Sequence, residues 1–319
     1  MIRGLAISCG DVNGIGFDVF LGALRHLAGA PLPQMVCFLD ATMARDVIAA
    51  HHLSADVDGS ILSVAGHMVH LRDVGHRCAV EPGNETAEAG ALALASLDAA
   101  ITHATSAPGW RILTLPLSKH ACAMAGWAHA GQTEHLAARL GGTPLMILAS
   151  GSVRVALATI HVPLRAVAPM LTQDLIVGKA HVLHQWLQND CGISHPRLAV
   201  LGLNPHAGEH GRIGSEDATI IEPAVAHLQG LGIQCHGPIP ADGFFGFGAY
   251  RSYDGILAMY HDQGLIPLKL LAEGGGVNIT AGLSVMRTSP DHGTAFAIAG
   301  TNTANPASMV EALSMAAGL

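Results

Sequence analysis

One stretch decides the fold class of this chain, Gly255-Ile256-Leu257-Ala258-Met259-Tyr260-His261. An apolar run of this length predicts a buried strand, and the histidine that follows it stands at the rim of a sheet. Two further runs end in the same way, Val155–Ile160 before His161 and Leu198–Pro205 before His206. Because ligands of open α/β sheets bind outside the carboxyl ends of the strands, the three histidines could converge on one point.

The three histidines are compatible with two interpretations. Neutral imidazole is the commonest metal ligand in proteins, and three imidazoles leave room at the metal for water or substrate. The chain holds 20 histidines, however, so three unrelated strand-end histidines would give the same pattern. The residues alone leave both interpretations open.

Strand-like and helix-like segments alternate along the whole chain. Gly4–Cys9 predicts a strand, Asn84 opens a long Ala/Leu-rich helix, and Thr172 is placed to cap the helix Leu171–Gln188. Such alternation indicates a mostly parallel sheet with helices on both faces. The glycine turn Gly10–Gly16 follows the first strand, but its spacing matches neither the dinucleotide fingerprint nor the P-loop. We therefore expect either an anion cradle or a tight strand-to-helix turn there.

Composition restricts the class of protein. The 319 residues suffice for one large domain or two lobes, and 50% of them are hydrophobic while only 13% are charged. The net charge of −8 and the absence of a basic run exclude nucleic acid as an expected partner. The apolar stretch before Asp11 is too short for a signal sequence or a membrane span. Six cysteines without a CxxC pair indicate free thiols in a reducing cytoplasm.

The lysines are few enough to be informative. Only Lys119, Lys179 and Lys269 occur, and Lys119 and Lys269 each follow a strand-like run and a proline. This places both at sheet ends, like the histidines. The alternative is that they are surface lysines that flank helices.

Long motifs in both halves resemble one known family. In the second half these are Asn204–Glu209, Gly237–Asp242, Ala258–Gly264 and Arg287–Thr294, and in the first half Gly10–Gly16, Thr114–Lys119, Gly131–Glu134 and Thr159–Leu164. In this order they resemble the 4-hydroxythreonine-4-phosphate dehydrogenases of pyridoxal phosphate biosynthesis. The resemblance extends over nearly the whole chain.

The resemblance implies an α/β fold like that of isocitrate and isopropylmalate dehydrogenases, with two α/β/α lobes around a central cleft. Residues 1–125 and 275–319 would form lobe one. Residues 126–274 would form lobe two, which carries the metal ligands and the dimer contacts. The expected assembly is a cytoplasmic homodimer with its active site at the interface, which takes a small phosphorylated substrate and neither nucleic acid nor membrane.

The resemblance also implies the chemistry. NAD and a divalent metal (zinc, with cobalt and magnesium as alternatives) would serve to oxidise 4-phosphohydroxy-L-threonine to a 3-oxo acid, which decarboxylates to 3-amino-2-oxopropyl phosphate. His161 and His206 of one subunit and His261 of the other would bind the metal, while the NAD-binding residues stay unassigned. The remaining site residues are expected in two groups, catalytic Asp242, Asp262 and Lys269, and substrate-binding Gln132, Thr133, Lys269, Asn278 and Arg287. Asp242 and Asp262 could instead be ordinary cap or turn residues, and Asp291 and His292 are expected to shape a loop.

One departure from the family pattern concerns the substrate. Most members have a histidine that contacts substrate where this chain has Gln132, which keeps a hydrogen-bond donor but carries no charge. We therefore expect Gln132→His to lower the KM for a phosphorylated substrate at mildly acidic pH. The alternative is that His129 or His135, close by in sequence, already supplies the missing contact. Two alternatives remain, a paralogous metal-dependent dehydrogenase for another phosphorylated hydroxy acid or a cyclic diol, and a non-enzymatic metal-binding relative.

Overall fold

A computed structural model describes residues 2–129, 131–272 and 275–319. The N-terminal part alternates strands and helices as the sequence predicts. Its elements are β1 (Gly4–Ser8), α1 (Gly16–His26), β2 (Gln34–Phe38), α2 (Ala41–Ala50), β3 (Asp56–Asp58), β4 (Ile61–Val64), β5 (His67–Leu71), α3 (Ala87–Thr105), β6 (Trp110–Thr114), α4 (Lys119–Met124) and α5 (Gln132–Leu140).

The middle of the chain continues the alternation with β7 (Gly142–Ser150), β8 (Val153–Leu157), α6 (Leu164–Met170), α7 (Gln173–Asn189), β9 (Leu198–Leu201), α8 (Glu222–Gly230), β10 (Cys235–Ile239), α9 (Ala241–Gly246), β11 (Gly255–Ala258) and α10 (His261–Leu271). The C-terminal part adds β12 (Val277–Leu283), β13 (Arg287–Pro290) and α11 (Ala307–Ala317). Thr172 caps α7 as predicted, since its side chain accepts a hydrogen bond from the Leu175 N–H at 3.1 Å.

The chain divides into two compact units. The first unit contains Met1–Thr143, Gly275–Asn278 and Leu283–Leu319, and the second contains Pro144–Gly274 and Ile279–Gly282. Residues 126–143, which the sequence analysis places in lobe two, therefore group with the first unit. The division into two lobes as independent domains stays a prediction.

The first unit is built on a mainly parallel set of strands in the order β13-β6-β1-β2-β5, which β4 and β3 extend in antiparallel fashion. Side chains of α3 pack onto one face of these strands, where Leu97 and Ile101 share a core with Ala6, Val36 and Ile112. The small residues of α3 allow this close approach. Helix α11 packs against β13 and against α1.

The second unit has parallel strands in the order β10-β9-β11-β8, with β7 antiparallel to β8. Its core joins Ala199, Ile256 and Val155 of these strands to Leu265 and Leu268 of α10. Both units are sheets covered by helices, so the predicted α/β class is confirmed. Among the described residues, none of the helices combines the length and the apolar character that a membrane crossing requires.

Candidate functional site

His161 and His261 follow neighbouring strands of the second unit. Parallel pairing of β8 with β11 places Leu157 opposite Ala258, so both chains leave the sheet at the same edge. Beyond the strands, Thr159 holds the two segments together, because its N–H and its hydroxyl both donate to the Met259 carbonyl, at 3.2 and 2.7 Å. As a result the two imidazole rings lie 5.6 Å apart, centroid to centroid, at an angle of 43°.

The two histidines line an open pocket of about 220 Å³, which we call the histidine pocket; it is formed by Ile160, His161, Val162, Leu164, Tyr260, His261 and Asp262. The Asp262 carboxylate accepts a hydrogen bond from His261 Nδ1 at 2.7 Å. This bond fixes the tautomer of His261 and leaves its Nε2 lone pair available to a ligand. The side chain of His261 is 35% exposed and that of Asp262 is 68% exposed, so the pocket is open to solvent.

Gln263, which the sequence analysis did not select, ties the third histidine's strand to the other two. Its side-chain oxygen accepts from the Met259 N–H at 2.7 Å, and its amide donates to the Gly202 carbonyl at 2.5 Å. The ends of β11 and β9 are thereby clamped together. Its position within the motif block Ala258–Gly264 was the only sequence signal for this role.

His206 follows β9 in an unusual turn. His206 and the next four residues all have positive φ angles, between 42° and 76°. Left-handed backbone costs a non-glycine residue roughly 1–2 kcal/mol, and such strain is concentrated at functional sites. The turn is held by the buried Asp217 carboxylate, which accepts from the Leu203 and Asn204 N–H groups at 2.8 and 3.1 Å and from the Asn204 amide at 2.8 Å.

A single protomer does not assemble all three histidines. Across residues 2–129, 131–272 and 275–319, no three His, Cys, Asp or Glu side chains are grouped so that they could hold a metal ion. The structure brings His161 together with His261, whereas the resemblance implies that His161 and His206 share one subunit. Two exposed imidazoles, one of them backed by a carboxylate, are a donor set that fits a divalent metal as part of a larger site.

The first unit brings two predicted site residues, Gln132 and Arg287, together with Thr114, and we call these three residues the arginine cluster. Arg287 is only 4% exposed. Its Nε donates to the Thr114 hydroxyl and its Nη2 donates to the Gln132 side-chain oxygen, both at 2.8 Å. Burial lowers the pKa of Arg287 to about 10, so the guanidinium is still charged at neutral pH. The sequence analysis included Thr114 in a motif but gave it no role.

The arginine cluster lies at the N-terminus of α5, where backbone N–H groups have no partner within the helix. A Cβ atom built on Gly131, the residue before this helix, would lie 3.5 Å from Lys119 Nζ and 3.0 Å from Glu134 Oε2. Arg287 and Lys119 therefore both bring positive charge to the first turn of α5. A helix N-terminus with two cations is suited to a phosphate or carboxylate group.

His135 anchors the same helix. Its Nδ1 accepts from the Trp127 indole N–H at 3.1 Å, and its Nε2 donates to the Asp98 carboxylate of α3 at 2.8 Å. Asp98 also pairs with Arg139. Both ring nitrogens of His135 are thus occupied, which leaves it free neither to bind substrate nor to rotate.

The other predicted site residues are more scattered. Thr133 is half-buried in the first turn of α5, Asp242 is exposed in the first turn of α9, and Lys269 is exposed on α10. The half-buried Asn278 has a buried side-chain oxygen without a hydrogen-bond partner among the residues that the structure describes. In the loop after β13, half-buried Asp291 precedes His292, whose Nδ1 donates to the Gly293 carbonyl at 3.0 Å.

The glycine turn Gly10–Gly16 allows close packing of the backbone against neighbouring segments. A Cβ on Gly10, whose φ is +63°, would lie 2.3 Å from the Pro116 carbonyl oxygen, and one on Gly14 would lie 2.9 Å from Thr294. Asp11 is buried within the turn, and burial together with the nearby Glu85 raises its pKa to about 6. A buried carboxyl group at this point opposes an anion, so the tight-turn interpretation is the one that the structure supports.

Comparison with known proteins identifies the family. Residues 33–316 match the family described as pyridoxal phosphate biosynthetic protein PdxA. The chain belongs to the PdxA family. Curated relatives include 4-hydroxythreonine-4-phosphate dehydrogenases from Bacteroides thetaiotaomicron, 41% identical over 98% of this chain and 87% of the relative, and from Bradyrhizobium diazoefficiens, 40% identical over 98% of this chain and 95% of the relative.

Solved structures agree with the PdxA assignment. The 4-hydroxythreonine-4-phosphate dehydrogenase from Klebsiella pneumoniae superposes with a TM-score of 0.84 at 35% identity, over 100% of this chain and 98% of that one. A terephthalate 1,2-cis-dihydrodiol dehydrogenase from Burkholderia xenovorans has a TM-score of 0.72 at 30% identity over the same shares. The predicted resemblance and the expected oxidoreductase class are confirmed.

Proposed function

We propose that this PdxA-family protein uses NAD and a divalent metal to oxidise the secondary alcohol of 4-phosphohydroxy-L-threonine, giving a 3-oxo acid that decarboxylates to 3-amino-2-oxopropyl phosphate. The observation that carries the proposal is the pairing of His161 with His261 in one open pocket, with Asp262 behind His261. Relatives that are about 40% identical over nearly the full chain bear the corresponding enzyme name.

His161, His206 and His261 are the proposed metal ligands, with zinc as the proposed ion and cobalt or magnesium as alternatives. When bound, such an ion acts as a Lewis acid that stabilises negative charge on the alcohol oxygen during hydride loss. Asp262 orients His261, and Asp242 and Lys269 are proposed to accept or return the alcohol proton. Two imidazole donors with an oriented Nε2 support this assignment.

The first unit is proposed to bind the anionic groups of the substrate. Arg287 supplies a fixed charge, Thr133 a hydroxyl and a backbone N–H in the first turn of α5, and Asn278 a buried side-chain oxygen without a partner in the described part of the chain. Lys119 adds a second positive charge beside Gly131, where the Glu134 carboxylate also lies. Lys269, on α10 of the second unit, is proposed separately as a substrate-binding residue. Gln132 belongs to the proposed substrate-binding set through its bond to Arg287.

A homodimer is part of the proposal. Several large apolar side chains of the second unit are exposed: Leu164 (72%), Phe247 (92%), Ile266 (59%) and Leu270 (78%). Leu164 lines the histidine pocket, and Ile266 and Leu270 lie on α10, the helix that begins at His261. Exposed apolar side chains of this size favour an interface.

The six cysteines form no disulfide among the described residues, which supports the proposed cytoplasmic location.

The test of the reaction is NAD reduction with purified protein. We expect turnover of 4-phosphohydroxy-L-threonine in preference to a panel of phosphorylated four-carbon hydroxy acids. Detection of 3-amino-2-oxopropyl phosphate by mass spectrometry identifies the product. Turnover of another panel member with no reaction of 4-phosphohydroxy-L-threonine would overturn the proposed substrate.

Subunit mixing tests the shared site. His161→Ala and His261→Ala protomers are each expected to be inactive, and mixing them with subunit exchange should restore activity if His161 and His261 of one site come from different subunits. A mixture that exchanges subunits, as shown by native mass spectrometry, yet stays inactive would place His161 and His261 of one site within the same chain, in line with the pairing of their rings.

A second candidate function rests on the match to the dihydrodiol dehydrogenase, which at 30% identity covers the whole chain. Gln132, in place of the family's usual histidine, is compatible with a substrate that differs in its anionic group. A cis-dihydrodiol in the same NAD assay distinguishes this alternative, because it lacks the phosphate that the proposed substrate carries.

A further inference from the structure

The resemblance implies that Gln132 replaces a histidine that contacts substrate, but the side-chain oxygen of Gln132 already has a partner within this chain. It accepts the Nη2 hydrogen bond of Arg287 at 2.8 Å. The other end of the same guanidinium is held by the Thr114 hydroxyl, also at 2.8 Å. Gln132 and Thr114 thus hold Arg287 from two directions, and neither of these bonds uses Nη1.

We propose that Gln132 is a positioning residue: it fixes the buried guanidinium of Arg287 so that Nη1 is presented to the anionic group of the substrate, and it does so independently of pH. The proposal rests on the proposed function for the identity of that substrate. In this role Gln132 acts on the substrate through Arg287. The role differs from the earlier expectation, in which Gln132 is an uncharged hydrogen-bond donor to the phosphate.

The physical reason is the direction of the hydrogen bond. Arginine has only donors, so its partner at this position must accept. The carboxamide oxygen accepts at every pH. A histidine could accept from Arg287 only while one ring nitrogen is unprotonated, and a protonated imidazole would place a second cation against a buried guanidinium. Charged and titratable groups described near this turn include Lys119 and Glu134, which both lie close to a Cβ built on Gly131. Further along α5, His135 and Arg139 are paired with Asp98 of α3.

The structure therefore reverses the expected effect of Gln132→His. The ratio of variant to wild-type kcat/KM should fall as the pH drops from 8 to 5.5, since an imidazole beside Arg287 must lose its acceptor when it is protonated. A rise of this ratio at acidic pH would mean that residue 132 donates to the substrate, and would overturn the proposal.

A double-mutant cycle separates action through Arg287 from direct contact with substrate. Gln132→Met has a side chain of similar length without an acceptor, and Arg287→Lys removes the planar fork. We expect Gln132→Met to lower kcat/KM by about tenfold in the wild-type background and by less than about twofold in the Arg287→Lys background, as residues that act as a unit are not additive. Equal losses in both backgrounds would contradict the proposal.

A stability measurement tests the same bond without substrate. For Gln132→His, Arg287 opposes protonation in the folded state only, so the unfolded chain binds the extra proton more readily below about pH 6.5. The melting temperature of the variant should therefore fall further below that of wild type as the pH decreases from 8 to 5.5. Gln173→His is the matched control, because Gln173 is also the first residue of a helix, α7, but is exposed.

Turnover and melting temperature test the proposed reaction and the positioning role of Gln132 separately. If 4-phosphohydroxy-L-threonine is not turned over, the proposed function fails, while the melting temperatures still test the bond from Arg287 to Gln132. If the Gln132→His and Gln173→His variants show the same dependence of melting temperature on pH, the positioning role fails even when the reaction is confirmed.

Discussion

The histidine pocket and the arginine cluster differ in how much of each is fixed within one chain. Arg287 is buried and held by two side chains, so its orientation is set before any ligand arrives. The histidines are exposed, only two of them are paired, and a single hydrogen bond orients one ring. One region is thus preorganised for an anion, while the other supplies an incomplete set of ligands that requires additional donors.

The difference indicates how stability and activity are distributed. Substitutions in the exposed histidine pocket should affect activity with little effect on folding, because little packing is lost there. Substitutions in the buried arginine cluster should affect both, since each removes a partner from a buried polar group. Single substitutions in each region test this contrast.

The largest effect is expected from His261→Ala and His161→Ala. Loss of a Lewis acid that stabilises charge by several kcal/mol should lower kcat by about a thousandfold or more. Metal content, measured by mass spectrometry, should fall in parallel, and the free energy of unfolding should change by no more than about 0.5 kcal/mol. His227→Ala on α8 is the matched control, as an exposed histidine of the same unit. Full metal content in the double variant would refute the ligand assignment.

Arg287→Lys should affect both activity and folding. Lysine keeps the charge but loses the fork, so kcat/KM should fall roughly tenfold to a hundredfold, as expected for the loss of a charge-assisted hydrogen bond. At least one of the Thr114 and Gln132 oxygens would lose its donor, which should lower the free energy of unfolding by about 1–3 kcal/mol. Urea unfolding and steady-state kinetics measure the two effects. A loss of activity at unchanged stability would remove the contrast between the two regions.

Asp262→Asn should weaken metal binding more mildly. Removing a carboxylate that orients a histidine ligand typically costs about 10–100-fold in metal affinity. Competition with a chelator measures the affinity. Asp174→Asn is the control, because Asp174 is likewise an acidic residue in the first turn of a helix. Equal metal affinities of the Asp262 variant and this control would show that Asp262 only caps α10.

The smallest effect is expected for Asp11, which is buried in the glycine turn of the first unit. Its pKa is raised to about 6 by burial, so between about pH 4 and pH 6 the folded state keeps a proton that the unfolded chain has lost. The carboxyl group therefore destabilises the fold increasingly as the pH rises through this window. Asp11→Asn should remove this dependence, leaving a difference on the order of 1 kcal/mol relative to wild type that grows from pH 4.5 to 7.5. Urea unfolding measures this difference at each pH. A difference between Asp11→Asn and wild type that stays constant with pH, like that of the exposed Asp56→Asn control, would contradict the prediction.

Local sequence patterns predicted the elements of the fold well. The run that ends at His261 forms β11, and the run before His161 forms β8, because apolar residues of this kind are stable only when buried in a sheet. Thr172 caps α7 as predicted, because its hydroxyl can accept a hydrogen bond from the first turn of the helix. Boundaries shifted slightly: the helix expected over Leu171–Gln188 spans Gln173–Asn189, because Thr172 stands at its N-cap position.

The sequence by itself thus determined the α/β class, the strand ends on which the histidines stand, and the motifs of the PdxA family, since these depend on neighbouring residues. Only the tertiary structure decided which side chains meet. Arg287 bonds to Thr114 and Gln132 across 173 and 155 residues of chain, and Thr159 bonds to Met259 across 100. Strand order and register set these contacts, and with them the role of Gln132 as an acceptor, because a hydrogen bond between distant residues has no local signature in the sequence.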